Sequence, residues 1–503
     1  MNTIPDVLPQ DGAEHRLHPL SWLFVLLAQL KQFIVPLVAL LLFGRGDRYQ
    51  LWSLVAVAVL VITSLAEYLT YRYRLKSDGL IVRSGWLHRS VREIPFSRIH
   101  NVSLHQNLLH RLVGVAEVRL EAAGGTKPEA QMRVLTMDQA LALEALVRRG
   151  GSASTAEDEG HAAEETAPLL TLSTGELVRL GLISNRGLVL LAAAFGALAQ
   201  TGDDIFGVLI DRWGKVAFGW VSDWVGQHVH DSLLVMGLAI TSMVVIALLL
   251  VRLLSVLLTI VQYHGFTLRE DDDRIRVERG LLARSRSSAK RRRIQAWSLR
   301  ESLLHRWFQR RSLRVDTAVS QQGKQQHALK ELAPIGTPQR CEELIRHFLP
   351  DAGWDELDWQ PLHPRAWMRI ALPSVLLLCI ASGLLCWRSG WIGLCALLAA
   401  PALLWRARRM AACSGNACNG RLVAWRSGWL DKRWNFAEIG KLQALRLSQS
   451  PIDRRLGMAN LLLDTAGASP LGPPLHLRYL PLAQARDLSA RLAVQLARTR
   501  LQR

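Results

Sequence analysis

Between Arg274 and Arg314 the chain carries fourteen lysines and arginines against two acids, Glu278 and Glu301. Four of these bases, Lys290, Arg291, Arg292 and Arg293, are consecutive. Guanidinium and ammonium groups at this density suit phosphate oxygens, which they hold through charge-assisted hydrogen bonds. Nucleic acid and the anionic headgroups of a bilayer both offer such oxygens, and a solvated basic face is the alternative to either. Other chemistry finds little support. The sequence has no GxxxxGK[ST], no HExxH and no GxSxG with a placed base, so no enzyme constellation and no cofactor site is expected. The six cysteines all lie in the last third. Cys413 and Cys418 form a lone pair without a second pair to complete a zinc site, and no metal is expected.

The basic run belongs to a larger pattern. A stretch that starts at Gly85 recurs from Gly280 and from Gly428, and equal offsets carry equal chemistry in all three copies. Arg98, Arg293 and Lys441 precede Ile99, Ile294 and Leu442, followed by the alternations Val102/Leu104, Trp297/Leu299 and Leu445/Leu447. Gln106, Glu301 and Gln449 come next, then Arg111, Arg306 and Arg454, then Gly114, Gln309 and Gly457. Histidine holds no common offset: His110 and His305 correspond, but the third copy has Asp453, which argues against a catalytic or metal role. The repeated residues read as structural. The glycines suit a turn that needs positive φ, and the Gln and Arg side chains suit hydrogen bonds to backbone where a strand breaks into a tight bend.

Each copy follows a pair of apolar segments. Half of the 503 residues are apolar, yet the net charge is +19 and the pI about 10.4. That combination fits a membrane protein with basic domains on the inner side. Runs at 20–43 and 51–69 approach the length needed to span the hydrocarbon core. The first run is too long for a signal-peptide h-region and follows an acid-containing N-terminus, so no signal peptide is expected. A second hairpin covers 180–262, with a first helix interrupted at Asp203 and Asp204. Its Trp-rich segment from Phe206 to Trp224 reads as an outer interfacial helix. The third hairpin covers 366–407. Only Lys31, Glu67, Asp203 and Asp204 qualify as intramembrane charges, too few to favour the alternative reading of a transporter or channel subunit. The Lys and Arg distribution places both termini and all three repeats in the cytoplasm, beside anionic inner-leaflet lipid, with nucleic acid the less accessible partner.

Within each copy, short alternating segments such as LIVRSGWL and VAEVRLEA read as β-strands, and TMDQALALEALVRR (Thr136 to Arg149) as one amphipathic helix. Helices close the other copies too, beginning at the Thr337–Pro338 start signal and after Pro481. The expected plan is hairpin 20–71, domain 72–150, acidic linker 151–170, hairpin 180–262, domain 263–350, hairpin 366–407 and domain 408–497.

DGLIVRSG (Asp78 to Gly85), IPxxRI (Ile94 to Ile99) and QNxxxRxxG (Gln106 to Gly114) resemble the bacterial pleckstrin-homology-like domains of the YdbS/YdbT membrane proteins, over nearly the whole chain. The resemblance implies an α+β membrane protein in which each of three transmembrane hairpins precedes a cytoplasmic PH-like domain. Each domain would be a half-open seven-stranded β-barrel with a C-terminal helix. It also implies a non-enzymatic scaffold or accessory role at the bacterial inner membrane, linked in some relatives to resistance against membrane-acting peptides. Other membrane proteins, a YdbS-like partner or self-association would supply the contacts. Glu301 for Gln, Gln309 for Gly and Arg421 at the place of Asp78 set the later copies apart.

Overall fold

The computed structural model describes residues 15–16, 18–27, 47–76, 79–85, 89–96, 99–122, 130–150, 167–200, 219, 233–271, 273–317, 329–465 and 475–498. They fall in two compact units. One comprises Met1–Ala122, Pro128–Arg269 and Val277–Ser287; the other comprises Ala123–Lys127, Glu270–Arg276 and Ser288–Arg503.

In the first repeat, an apolar helix α1 (Asp47–Thr70) leads into a four-stranded antiparallel sheet. Its strands run in order β1 (His15–Arg16), β2 (Arg72–Leu75), β3 (Gly79–Ser84) and β4 (Ser90–Pro95). Then come β5 (Ile99–Gln106), the short helix α2 (Leu108–Val113), β6 (Val115–Ala122), β7 (Ala130–Thr136) and α3 (Met137–Gly150). Alternate residues of the strands face one core, where Leu80, Val82, Ile94, Val102, Leu104, Val118 and Leu120 meet Ala140, Leu143 and Val147 of α3. The spacing of these three along α3 gives the helix its single buried stripe.

After β8 (Leu170–Thr171) and the helices α4 (Thr174–Ile183), α5 (Arg186–Gln200) and α6 (Leu233–Tyr263), the second repeat supplies β9 (Thr267–Asp271), β10 (Arg274–Arg279) and β11 (Arg284–Lys290). It continues with β12 (Ile294–Glu301), α7 (Leu303–Trp307), β13 (Arg311–Thr317), β14 (Glu331–Gly336) and α8 (Pro338–Phe348). Thr337 caps α8 by accepting from the Arg340 amide, with Pro338 in the first turn, where its missing N–H costs nothing. Next are β15 (Gln360–Pro361), α9 (Ala366–Ser389) and α10 (Ala400–Cys413). The third repeat holds β16 (Gly415–Cys418), β17 (Leu422–Ser427), β18 (Lys432–Glu438), β19 (Leu442–Ser448), α11 (Pro451–Leu456), β20 (Met458–Thr465), β21 (Leu475–Pro481) and α12 (Leu482–Arg498).

No repeat closes into a barrel among the described residues, which corrects the expected fold. The strand order β7-β6-β5-β11-β10-β9-β8 carries the second half of the first repeat into the first half of the second. The order β14-β13-β12-β18-β17-β16-β15 does the same for the second and third. A single 3-10 turn, Arg291–Arg293 after β11 and Ile439–Lys441 after β18, moves the chain from one sheet to the next, so the strands on either side of it do not pair with each other. Each instead pairs antiparallel with a neighbouring repeat: Arg284 opposite Gln106, and Lys432 opposite Glu301.

Three regular hairpins are not what the membrane part shows. Two helices are long and apolar enough to cross a bilayer, Ile240–Tyr263 within α6 and Ala366–Arg388 within α9; a third span is counted if α4 and α5 are taken together. Those two are bent by 52° at Ser184–Asn185. Arg252 of α6 donates to the Leu182 and Ser184 carbonyls and to Asn185 Oδ1, each at 3.2 Å, and Ser255 Oγ donates to the Gly181 carbonyl at 2.9 Å. Backbone acceptors freed by the break are thus satisfied within the apolar layer. In the third pair, the chain reverses at Gly390 (φ 60°) and Gly390–Ala399 winds as 3-10 helix before α10 begins. Ser382 Oγ donates to the Gly393 carbonyl at 2.9 Å, and a Cβ on Gly393 would lie 2.3 Å from the Cys386 nitrogen, so this leg is pressed against α9. The first apolar run beyond residue 27, Lys31, Asp203, Asp204, most of the acidic linker and all of the Trp-rich segment except Gly219 lie outside the described residues.

A Cβ at Gly187 would stand 2.4 Å from the Val251 carbonyl, whereas one at Gly196 meets nothing within 4 Å. Gly187→Leu is therefore expected to lower stability by roughly 1–3 kcal/mol through overpacking. Thermal unfolding of the detergent-solubilised chain checks this, with Gly196→Leu leaving the midpoint unchanged.

Candidate functional site

The four consecutive bases share one turn but not one role. Arg291 is committed to structure: its Nε and Nη2 donate to the Phe348 carbonyl at 3.0 and 2.6 Å, at the C-terminal end of α8, where a cation also suits the helix dipole. Arg292 is exposed and its side chain makes no hydrogen bond or ion pair among the described residues, while its carbonyl accepts from Lys441 Nζ at 2.6 Å. Partial burial, with Arg274 and Arg292 nearby, pushes the Lys290 ammonium below its ordinary pKa; burial and Arg292 do the same to Arg293. Arg291 and Arg292 line a groove of about 730 Å³ together with Arg421, Lys441 and Arg498, opposed by Asp273, Asp351 and Glu438. The surplus of base leaves room for a phosphate-sized anion. Lys290 and Arg293 do not line it.

The repeat motif holds neighbouring repeats together. Gly85, Gly280 and Gly428 have φ of 103°, 114° and 93°, and a Cβ would stand 1.9 Å from the Ala283 carbonyl at Gly280 and 2.0 Å from the Asp431 carbonyl at Gly428. Gln106 Nε2 donates to the Val115 carbonyl at 2.9 Å, and Gln449 Nε2 to the Met458 carbonyl at 2.7 Å, closing the bend around α2 and α11. Glu301 cannot donate; it accepts instead from Arg311 Nε at 2.7 Å and forms an ion pair with Arg306 at 3.3 Å. Arg111 Nη1 donates at 2.7 Å to the carbonyl of Leu281, the residue after the next repeat's turn glycine. Arg306 donates to Trp429, which occupies the same place after Gly428. Arg454 is exposed and makes no such bond among the described residues. Gly114 and Gly457 both have φ 71°, and Gln309 adopts the same left-handed region at 51°.

A second basic cleft was not singled out from the sequence. About 600 Å³ opens at the foot of α9 and α10, lined by Arg369, Arg406, Trp429, Arg433 and Arg478. Arg369 pairs with buried Asp453 at 3.2 Å, and Arg433 with Asp431. Arg406 is exposed and has no such partner among the described residues. Trp405 meets Trp429 edge-on at 4.9 Å, and Arg408 lies 4.6 Å over the Trp367 ring, the aromatic and basic belt found where a helix leaves a bilayer. Bases spread over residues 369–478 give no run for a sequence scan to detect. Arg252 was missed too, although a single charge inside the 31-residue apolar helix α6 is a visible signal.

His305 is buried beneath α7, with Nδ1 2.7 Å from Ser302 Oγ, and burial together with Arg300 lowers its pKa to about 4. A histidine held neutral in the fold stabilises it fully above the unfolded pKa of about 6.5, and that contribution is lost as pH falls toward 4. The wild-type thermal midpoint is thus expected to drop over this window by the equivalent of about 3 kcal/mol at most. His305→Gln should show a shallower drop in a matched pH series.

The bacterial PH domain model matches residues 24–150, 218–348 and 370–495. The UPF0699 transmembrane protein YdbT of Bacillus subtilis (strain 168) is 20% identical over 377 residues, covering 72% of this chain and 74% of that protein. No solved structure matches. With three matches at the repeat period, over most of its length, the chain belongs to the bacterial PH-domain family.

Proposed function

We propose that the chain is a multi-pass inner-membrane protein with cytoplasmic termini, and that its PH-like repeats form a non-enzymatic scaffold holding anionic lipid headgroups against the inner leaflet. The carrying observation is the cleft at the foot of α9 and α10, where Arg406, Arg433 and Arg478 converge beside Trp429 and a span-length helix. A headgroup phosphate is the nearest anion to such a place, and each base near the surface contributes on the order of 1 kcal/mol. The groove with Arg292 and Arg421 is a second contact on the same reading. Arg252 does not favour the transporter alternative, because backbone and Asn185 oxygens occupy its guanidinium. Gathering anionic lipid would reduce the negative charge that draws cationic membrane-acting peptides, and resistance to such envelope stress is the setting we assign.

The boundaries 20–71, 180–262 and 366–407 for the membrane segments, and 72–150, 263–350 and 408–497 for the domains, are part of this proposal. Strands of the second domain pair with both neighbours, so tests belong on the whole chain. Purified in neutral detergent, the chain should gain thermal stability from phosphatidylglycerol but not phosphatidylcholine, and lose the gain at 1 M salt, where the Debye length is about 3 Å. Arg406→Gln with Arg478→Gln should weaken the apparent affinity about fivefold per base. An equal response to both lipids, or an unaltered response in the variant, would overturn the reading.

Orientation is tested separately. Reporter fusions after residues 47, 215 and 389 are expected outside, and fusions after 150, 350 and 503 in the cytoplasm. An outside signal at 150 contradicts the arrangement.

A further inference from the structure

Each junction between repeats pairs, within one sheet, a strand that follows a turn glycine (β11 or β18) with the first strand of the preceding repeat's second half (β5 or β12). β11 is laid on β5 and β18 on β12 in the same register, position for position along the repeat. The first repeat's glycine-turn strand, β4, and the third repeat's second strand, β19, are both at the ends of their sheets among the described residues. Their exposure differs accordingly. Leu104 and Leu299 are 4% and 1% exposed, whereas Leu447 at the same offset is 39% exposed. On the other edge, Ser288 and Phe436 are buried, but Glu93 at their offset is exposed and Val91 beside it is 62% exposed. Arg111 and Arg306 each hold the turn of the strand laid against their own repeat.

We propose that β19 of one copy takes β4 of a second copy as its antiparallel neighbour, in the register of the two internal junctions, so that copies join head to tail. Continued register sets Ser90 opposite Ser448, Val91 opposite Leu447 and Glu93 opposite Leu445. Val91 then covers Leu447. Exposed edges that share one apolar pair and a complementary hydrogen-bonding ladder are templates for this kind of strand addition. Such a contact is heterologous: the two surfaces differ, so it builds a ring or a row rather than a closed twofold dimer. One pair opposes it. Arg92 falls opposite Arg446, where the internal junctions have Ser287 opposite Ser103 and Asn435 opposite Ser298. Like charges at directly opposed positions weaken the pairing. The contact is therefore weak and strengthened by salt, the reverse of the lipid interaction proposed above, on which it does not depend.

Cross-linking of the full chain in detergent tests the register. One tagged copy carries Val91→Cys and a differently tagged copy Leu447→Cys; opposed residues in an antiparallel pair lie about 4.5–5.5 Å apart at Cα, within reach of a disulfide. Mild oxidation of the mixture is expected to give a reducible heterodimer carrying both tags. The same mixture with Val178→Cys, an exposed position on α4, in place of Val91→Cys should not. Arg446→Ser should raise the heterodimer yield and Leu447→Lys should abolish assembly, both with an unchanged thermal midpoint because these side chains are exposed. A heterodimer yield no higher than the Val178→Cys control, a bridge formed only within one chain when both cysteines are placed together, or a monomer mass at every concentration and salt would overturn the proposal.

Discussion

Antiparallel pairing between one repeat's strand and the next repeat's strand is the interaction on which the rest depends. At the β12–β18 junction, Trp297 lies opposite Phe436, with the rings stacked at 6.2 Å and 5°. Ser298 Oγ bonds Asn435 Oδ1 at 2.9 Å, and Arg300 makes a two-pronged contact with Asp431 at 2.8 and 3.1 Å. Burial works against the Asp431 charge, yet hydrogen bonds from Arg300 and Arg433 hold its carboxyl below the usual range. Remove the pairing, and both strands present unpaired edges and the aromatic pair loses its cover. A barrel that closed on itself would make the junction impossible, because the same edges cannot be used twice.

That choice decides which surfaces remain for function. The 3-10 turn that switches sheets places Arg291–Arg293 at a corner, where one side chain is spent on the end of α8 and another is left exposed. The third repeat packs a full core of Leu461, Leu463 and Leu477 against Leu488 and Leu492 of α12, and its foot meets α9 through Arg369 and buried Asp453. Burial opposes the Asp453 charge, but hydrogen bonds from Ser450, the nearby Arg369 and Asn460 keep its pKa low. Where the first two repeats place histidine under this short helix, the third uses an acid that ties the domain to its membrane helix.

Much of this was legible from spacing. The strands follow the period-two alternation around Val102/Leu104 and its counterparts, and α8 begins where Thr337–Pro338 says it should. The turn glycines have the positive φ that their recurrence suggested. The Gln106 and Gln449 side chains meet backbone as expected, nine residues along the chain. What could not be read was the partner of each strand, because the period-two signal names the buried face and says nothing of the neighbour along the hydrogen-bonding edge. A family resemblance to a barrel filled that gap wrongly. The role of the repeated arginines was hidden for the same reason: their acceptors lie 170 residues away in one case and 123 in the other. In the membrane part, hydropathy counts apolar residues but does not register the close approach of Gly181 and Gly187 to α6, which accompanies the break in the first leg.

Hydrogen exchange on the intact chain in detergent, resolved to peptides, tests the central claim most directly. Amides of β5, β11, β12 and β18 are expected to be protected on both edges, to the level of the inner strands β3, β6, β13, β17 and β20. Exchange in β12 or β18 as fast as at a bare sheet edge, with protection appearing instead between β11 and β12 or between β18 and β19, would mean that each repeat closes on itself, and would contradict the account.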